Sequence, residues 1–192
     1  MKKSIIASGA AAVALAAMPA FGAFADVTDT VQINIQGACS VGQTSSSQTG
    51  GGVTLTATMT NGSTKSWDAD GSAGGTLKVS CNDASGWNIK AVGNSEGTAK
   101  TSMKPTGSGT PIPTGTSGDP SFWAFKVAGT GAESAFTSWH AVPAEATKVA
   151  GGGTAVSEGQ INTGYQVHVS ASQEADTYTG KVLYTVSSGE NS

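Results

Sequence analysis

Apolar residues in this chain recur at every second position, in short runs, and outside the first two dozen residues almost never at every third or fourth. "TVQINIQGAC" sets Val31, Ile33 and Ile35 on one face and Gln32, Asn34 and Gln36 on the other. "VTLTATMT" does the same with Val53, Leu55, Ala57 and Met59. "TLKVSC" aligns Leu77, Val79 and Cys81, and "GWNIKAVG" aligns Trp87, Ile89 and Ala91. A period of two places alternate side chains on opposite faces of a strand, so each run is half-buried β structure rather than helix. "SFWAFKVAG" and "SAFTSWHAV" are further strands, joined as a hairpin through "GTGAE". "GYQVHVSAS" buries Tyr165, Val167, Val169 and Ala171, and "TYTGKVLYTV" closes the chain beside it after the turn "QEAD". About eight short strands separated by Gly- and Ser-rich turns predict an antiparallel sandwich, seven to nine strands in all.

Two stretches interrupt that spacing. "GQTSSSQTGGG" (42–52) reads as a flexible loop. Residues 94–120 hold four of the six prolines and read as a long surface loop, or as one that hides a short edge strand.

The front of the chain has a different character. Lys2 and Lys3 precede an apolar run from Ile5 to Met18, then Pro19, then Ala23 and Ala25 in a small-x-small pattern. That order predicts a secretory leader, residues 1–25, cleaved before Asp26. The run is short of the ~18–20 apolar residues that a spanning helix needs, so no membrane span is expected after cleavage. Residues 26–192 are then one exported domain, secreted or held at the cell surface. No sorting motif is legible, so retention there would rest on neighbouring subunits.

Charge narrows the functions. All ten basic residues are Lys, and loss of Lys2 and Lys3 would take the net charge from −3 to −5. An acidic chain without arginine is a poor partner for nucleic acid, whose phosphates are met by Arg and Lys clusters. Cys39 and Cys81, the two cysteines, are expected to form a disulfide in an exported protein; two free buried thiols are the alternative.

The chain nominates no catalytic apparatus, no cofactor and no metal. There is no nucleophile elbow around a serine. His168 falls on the polar face of its run, and His140 follows Trp139 at a strand end. "WDADGSAGG" begins like a calcium loop at Asp68 and Asp70, but Val79 stands where the bidentate acid would be needed, so an Asp-Gly turn is expected. The remaining candidates are aromatic: Trp123 and Trp139 would either stack on sugar rings or pack the core.

Three features together carry a resemblance. A leader precedes an alternating strand that reaches a first cysteine ("TVQINIQGACSVG"); a second cysteine ends one strand and leads into another ("LKVSCNDASGWNIKAVG"); and the chain closes on "ADTYTGKVLYTV". That plan resembles the spore coat protein U and archaic chaperone–usher pilin group. It is similar, too, to small secreted bacterial surface proteins whose last strand reads DTYTGKVxYT. The resemblance implies an immunoglobulin-like sandwich serving as a structural surface or pilus-like subunit without enzymatic activity. It also implies strand addition between copies, in which an extended segment completes a neighbour's sheet. Val31, Ile33 and Ile35 would be the plugs of that donor strand; pairing inside their own sheet is the alternative. An adhesin module that binds glycans or host surfaces is the second functional expectation.

Overall fold

The computed structural model describes residues 39–45, 48–49, 58–69, 74–95, 98–117 and 120–189. The expected leader and donor strand (Val31, Ile33, Ile35) lie outside the described residues, as do Asp70 and most of "VTLTATMT". Gln36–Ser192 form one compact unit.

The described chain is all-β and antiparallel. Its strands are β1 (Cys39–Ser45), β2 (Gln48–Thr49), β3 (Thr64–Trp67), β4 (Gly75–Cys81), β5 (Trp87–Gly93), β6 (Lys104–Pro105), β7 (Phe122–Gly129), β8 (Thr147–Gly152), β9 (Val156–His168), β10 (Tyr178–Thr179) and β11 (Val182–Ser188). A six-stranded sheet runs β2-β1-β4-β9-β7, with β3 also on β9; a three-stranded sheet runs β11-β5-β8; β6 and β10 form a small ribbon.

β9 organises the larger sheet because it is long enough to hold two partners on one edge. β4 covers its first half from Val156 to Thr163, and β3 covers Tyr165 to His168. Between them Gly74 N–H donates to the Asp68 carbonyl at 3.1 Å. Ala69 sits over Gly164, where a Cβ would come within 2.8 Å of the Ala69 nitrogen. Only glycine leaves that space. The Asp70 and Gly71 of the Asp-Gly turn expected in "WDADGSAGG" lie outside the described residues.

The core fills the space between the two sheets. Leu77 and Val79 of β4, Ile89 and Ala91 of β5, Phe125 and Val127 of β7, Val149 and Ala150 of β8, and Ile161 of β9 are all buried in one cluster. Burying such side chains contributes about 1.5–3 kcal/mol apiece and is what holds the sheets face to face. Cys39 and Cys81 stand directly opposite each other in the β1–β4 register and are joined as a disulfide. The bond staples the start of the first described strand to the end of its neighbour, within one sheet.

Three sequence expectations need correction. First, "SAFTSWHAV" is not a strand. A single 3-10 turn, Ser134–Phe136, drops Phe136 into the core against Phe125, and only His140 bridges back to the backbone of Phe125. Burial of one ring outweighs alternation there, since Ala135, Thr137 and Ser138 have nothing apolar to bury. Second, residues 42–52 are not all loop: β1 runs to Ser45 and turns back into β2. Backbone pairing with β4 is enough to hold this polar stretch extended. Of the two readings of the 94–120 segment, the structure has the one with a short strand inside it, β6, and it also buries Ile112, 1 % exposed. Third, the terminal strand does not lie beside "YQVHVSAS". β11 crosses to the other sheet and pairs with β5 from Val182–Gly93 to Ser188–Trp87. The intervening residues are drawn away by the β10–β6 ribbon, so the connection is not a hairpin.

Candidate functional site

β11 forms one margin of the three-stranded sheet. Among the described residues β11 has one hydrogen-bonded strand neighbour, β5, and it lies next to β1 of the opposite sheet. Its inward row is Val182, Tyr184 and Val186. All three pack on the core, yet all stay half-buried, while Leu183 on the other face is 44 % exposed. The row is apolar because "KVLYTV" alternates. It is open because a strand at a sheet margin has cover on one side only.

Tyr184 anchors the row. Its hydroxyl lies 3.1 Å from that of Tyr165 on β9, a hydrogen bond that crosses between the sheets. Burial raises the Tyr165 hydroxyl above its ordinary value. Burial, together with the neighbouring tyrosine, pushes that of Tyr184 well above it. Both phenols therefore stay neutral and hydrogen-bonded through the ordinary pH range.

The two candidate stacking residues separate. Trp123 is 3 % exposed, inside the core, with its Nε1–H donating to the Thr101 carbonyl at 2.7 Å. It offers no face to a sugar. Trp139 is partly exposed, with Lys126 Nζ 4.5 Å from its ring centroid; the same ammonium pairs with Asp68. Lys126 reaches both because it is the outward residue between the buried Phe125 and Val127. His168 stacks on Phe122, with centroids 5.4 Å apart, and hydrogen-bonds Thr64 Oγ1 through Nδ1 at 2.9 Å.

Two carboxylates come near each other where Glu174 and Asp176 meet the 94–120 segment. Asp176 accepts the N–H groups of Gly107 and Gly109 at 3.0 and 3.3 Å and that of Thr177 at 2.7 Å, while Glu174 accepts that of Thr110. Desolvation of the Asp176 carboxyl is outweighed by these N–H groups, and its pKa falls below the ordinary value. Their oxygens are engaged in holding a loop. Among the described residues no group of three or more His, Cys, Asp or Glu could hold a metal ion. No helix there is long and apolar enough to cross a membrane.

Sequence reasoning missed the β11 margin because it placed this strand beside β9. The available signal was the alternation of Val182, Tyr184 and Val186; nothing local says which strand covers them. No protein-family model matches the chain. A search of curated proteins likewise finds no match.

Proposed function

We propose that this chain is a non-enzymatic, exported structural subunit of a cell-surface or fibre assembly, and that copies join by strand addition along β11. The observation that carries this reading is the half-covered apolar row Val182, Tyr184 and Val186 at a sheet margin. Such a row is completed by another extended segment with side chains of matching period. The segment Val27 to Ile35, with Val31, Ile33 and Ile35 as plugs, has that period and would enter from a neighbouring copy. The disulfide supports an oxidising, extracellular setting, and the leader-like start of the sequence supports export.

The test is electrophoresis of the secreted protein without and with boiling. A high-mass ladder that collapses to one band on heating is expected for the native chain, and its loss is expected for Ile33→Asp. A single unboiled band at the mass of one chain would overturn the reading.

A second reading, an adhesin module that contacts glycans, is favoured by the partly exposed Trp139. It predicts that Trp139→Ala loses glycan binding while the ladder is kept.

A further inference from the structure

The outer face of the six-stranded sheet, turned away from the core, carries a second set of aromatic side chains. On β7 the buried Trp123, Phe125 and Val127 point inward, so Phe122, Ala124 and Lys126 point outward. The register extends each of these into a row across the sheet. Phe122 lies across from His168 of β9, and His168 across from Thr64 of β3. Ala124 lies across from Gln166, and Gln166 across from Ser66. Lys126 lies across from Gly164, and with no side chain there its ammonium reaches over to Asp68. On the other side of β7, His140 bridges Phe125, which brings Trp139 beside Lys126.

The two ends of this face are aromatic and the row between them is polar on β9 and β3. At one end the rings of Phe122 and His168 stack, with planes 25° apart and centroids 5.4 Å apart. At the other, Trp139 stays partly exposed while Lys126 Nζ stands 4.5 Å from its ring centroid. Phe122 and Lys126 are four positions apart on β7, a span of about 13 Å at ~3.3 Å per residue. Ala124 between them points outward and is still 0 % exposed, so the face is closed over at its centre. Gln166 lies along the middle row, its Nε2 donating to Ser66 Oγ at 3.0 Å, and Thr64 Oγ1 lies 2.9 Å from His168 Nδ1. Ser66 and Thr64 are exposed and Gln166 is half-buried.

That arrangement selects a ligand by its chemistry. Lys126 is matched by Asp68, so a ligand charge of either sign gains little here. The edge of β7 is not open to an added peptide strand: Trp123 bonds through its backbone to Pro113 and Gly115, and Phe125 to His140. A pyranose ring has an apolar C–H face, which packs on an aromatic ring, and a rim of hydroxyls that each donate and accept. The hydroxyls of Thr64 and Ser66 and the amide of Gln166 stand in line beside the rings to meet that rim. The span between the two aromatic ends exceeds one pyranose.

We infer that this face binds a neutral, linear oligosaccharide of three or more rings. One ring stacks on Trp139, one on the Phe122–His168 pair, and the hydroxyls of the ring between them meet Gln166 and Ser66. The inference rests on the reading of Trp139 as a glycan contact and is independent of strand addition.

The test is calorimetric titration of the full chain with cellotriose, maltotriose and chitotriose, each beside the methyl glycoside of its monomer. At least one trisaccharide should bind about tenfold or more tighter than its monomer. Trp139→Ala should abolish binding of that trisaccharide. Phe122→Leu, which keeps an apolar side chain against the sheet but removes the ring, should weaken it about tenfold at an unchanged thermal midpoint. If that midpoint falls, His168→Ala, which removes the other ring of the pair, replaces it with the same expectation. Equal affinity for trisaccharide and monomer, or native trisaccharide affinity in the variant without the ring, would overturn this inference and leave Trp139 as a glycan contact. No binding of any of the six sugars would overturn it together with the adhesin reading.

Discussion

β9 and β11 carry the same kind of side-chain pattern, and only one of them is sealed. On β9, Ile161 and Thr163 are 0 % exposed and Val167 is 6 %, with Tyr165 alone in that row half-buried. On β11, Val182, Tyr184 and Val186 all remain half-buried. β9 has β4 and β3 along one edge and β7 along the other; among the described residues β11 has β5. Alternation chooses which face of a strand turns inward. The number of neighbouring strands decides whether that face is closed off from water. A closed row is a stability element, and an open one is a place where another chain can add.

The largest effect should come from breaking the sealed side. Phe125→Ala removes a fully buried ring that β7 presses against Phe136. It should cost about 3–5 kcal/mol, seen as a large fall in denaturant midpoint. If the loss is no greater than for Val186→Ala, the contrast between the two regions is wrong.

Next comes the staple. Replacing Cys39 and Cys81 together by Ser removes a crosslink between residues 42 apart in sequence. The loss should be roughly 2–4 kcal/mol in the same assay, with the reduced native chain behaving alike.

At the open margin the two kinds of readout should part. Val186→Ala should cost the isolated chain only about 1 kcal/mol, because the side chain is half-covered already. It should nevertheless weaken the unboiled ladder sharply. An effect on stability alone would mean that the row is plain core.

The smallest effect is in the pH response of the 94–120 segment. The Asp176 pKa is depressed in the folded protein, so its contribution is complete above the ordinary value of 3.8 and is lost as pH falls through the lower folded value. The amide signals of Gly107 and Gly109 should titrate with a midpoint below 3.8. A midpoint at or above that value would show that the carboxylate does not hold the loop.

Much of the fold was legible because alternation is a local signal. The strands around Leu77, Ile89 and Phe125 and the pairing of Cys39 with Cys81 could be read from residue order alone. β8 and the first half of β9 could not. "TKVAGG" and "VSEGQINTG" break their apolar rows with glycine and polar residues. Their extended form is imposed by β5 and β4. Glu158, at φ +59°, marks where β9 bulges against β4 between Val79 and Cys81. A left-handed glutamate is a demand of the sheet, not a preference of the residue.

The candidate sites were less legible for the same reason. Trp123 and Trp139 look alike in sequence, yet Trp123 faces the core from β7 while Trp139, past the 3-10 turn and outside any strand, is partly exposed.

The most direct test of strand addition places one cysteine on each side of the proposed joint. Ile33→Cys chains are mixed with separately purified Val186→Cys chains under mild oxidation. Strand addition predicts a new disulfide-linked species of two chains, formed in the mixture and in neither variant alone. No such species in the mixture, together with a crosslink confined to single chains when both changes are made in one molecule, would contradict it. The row on β11 would then belong to a self-contained sandwich.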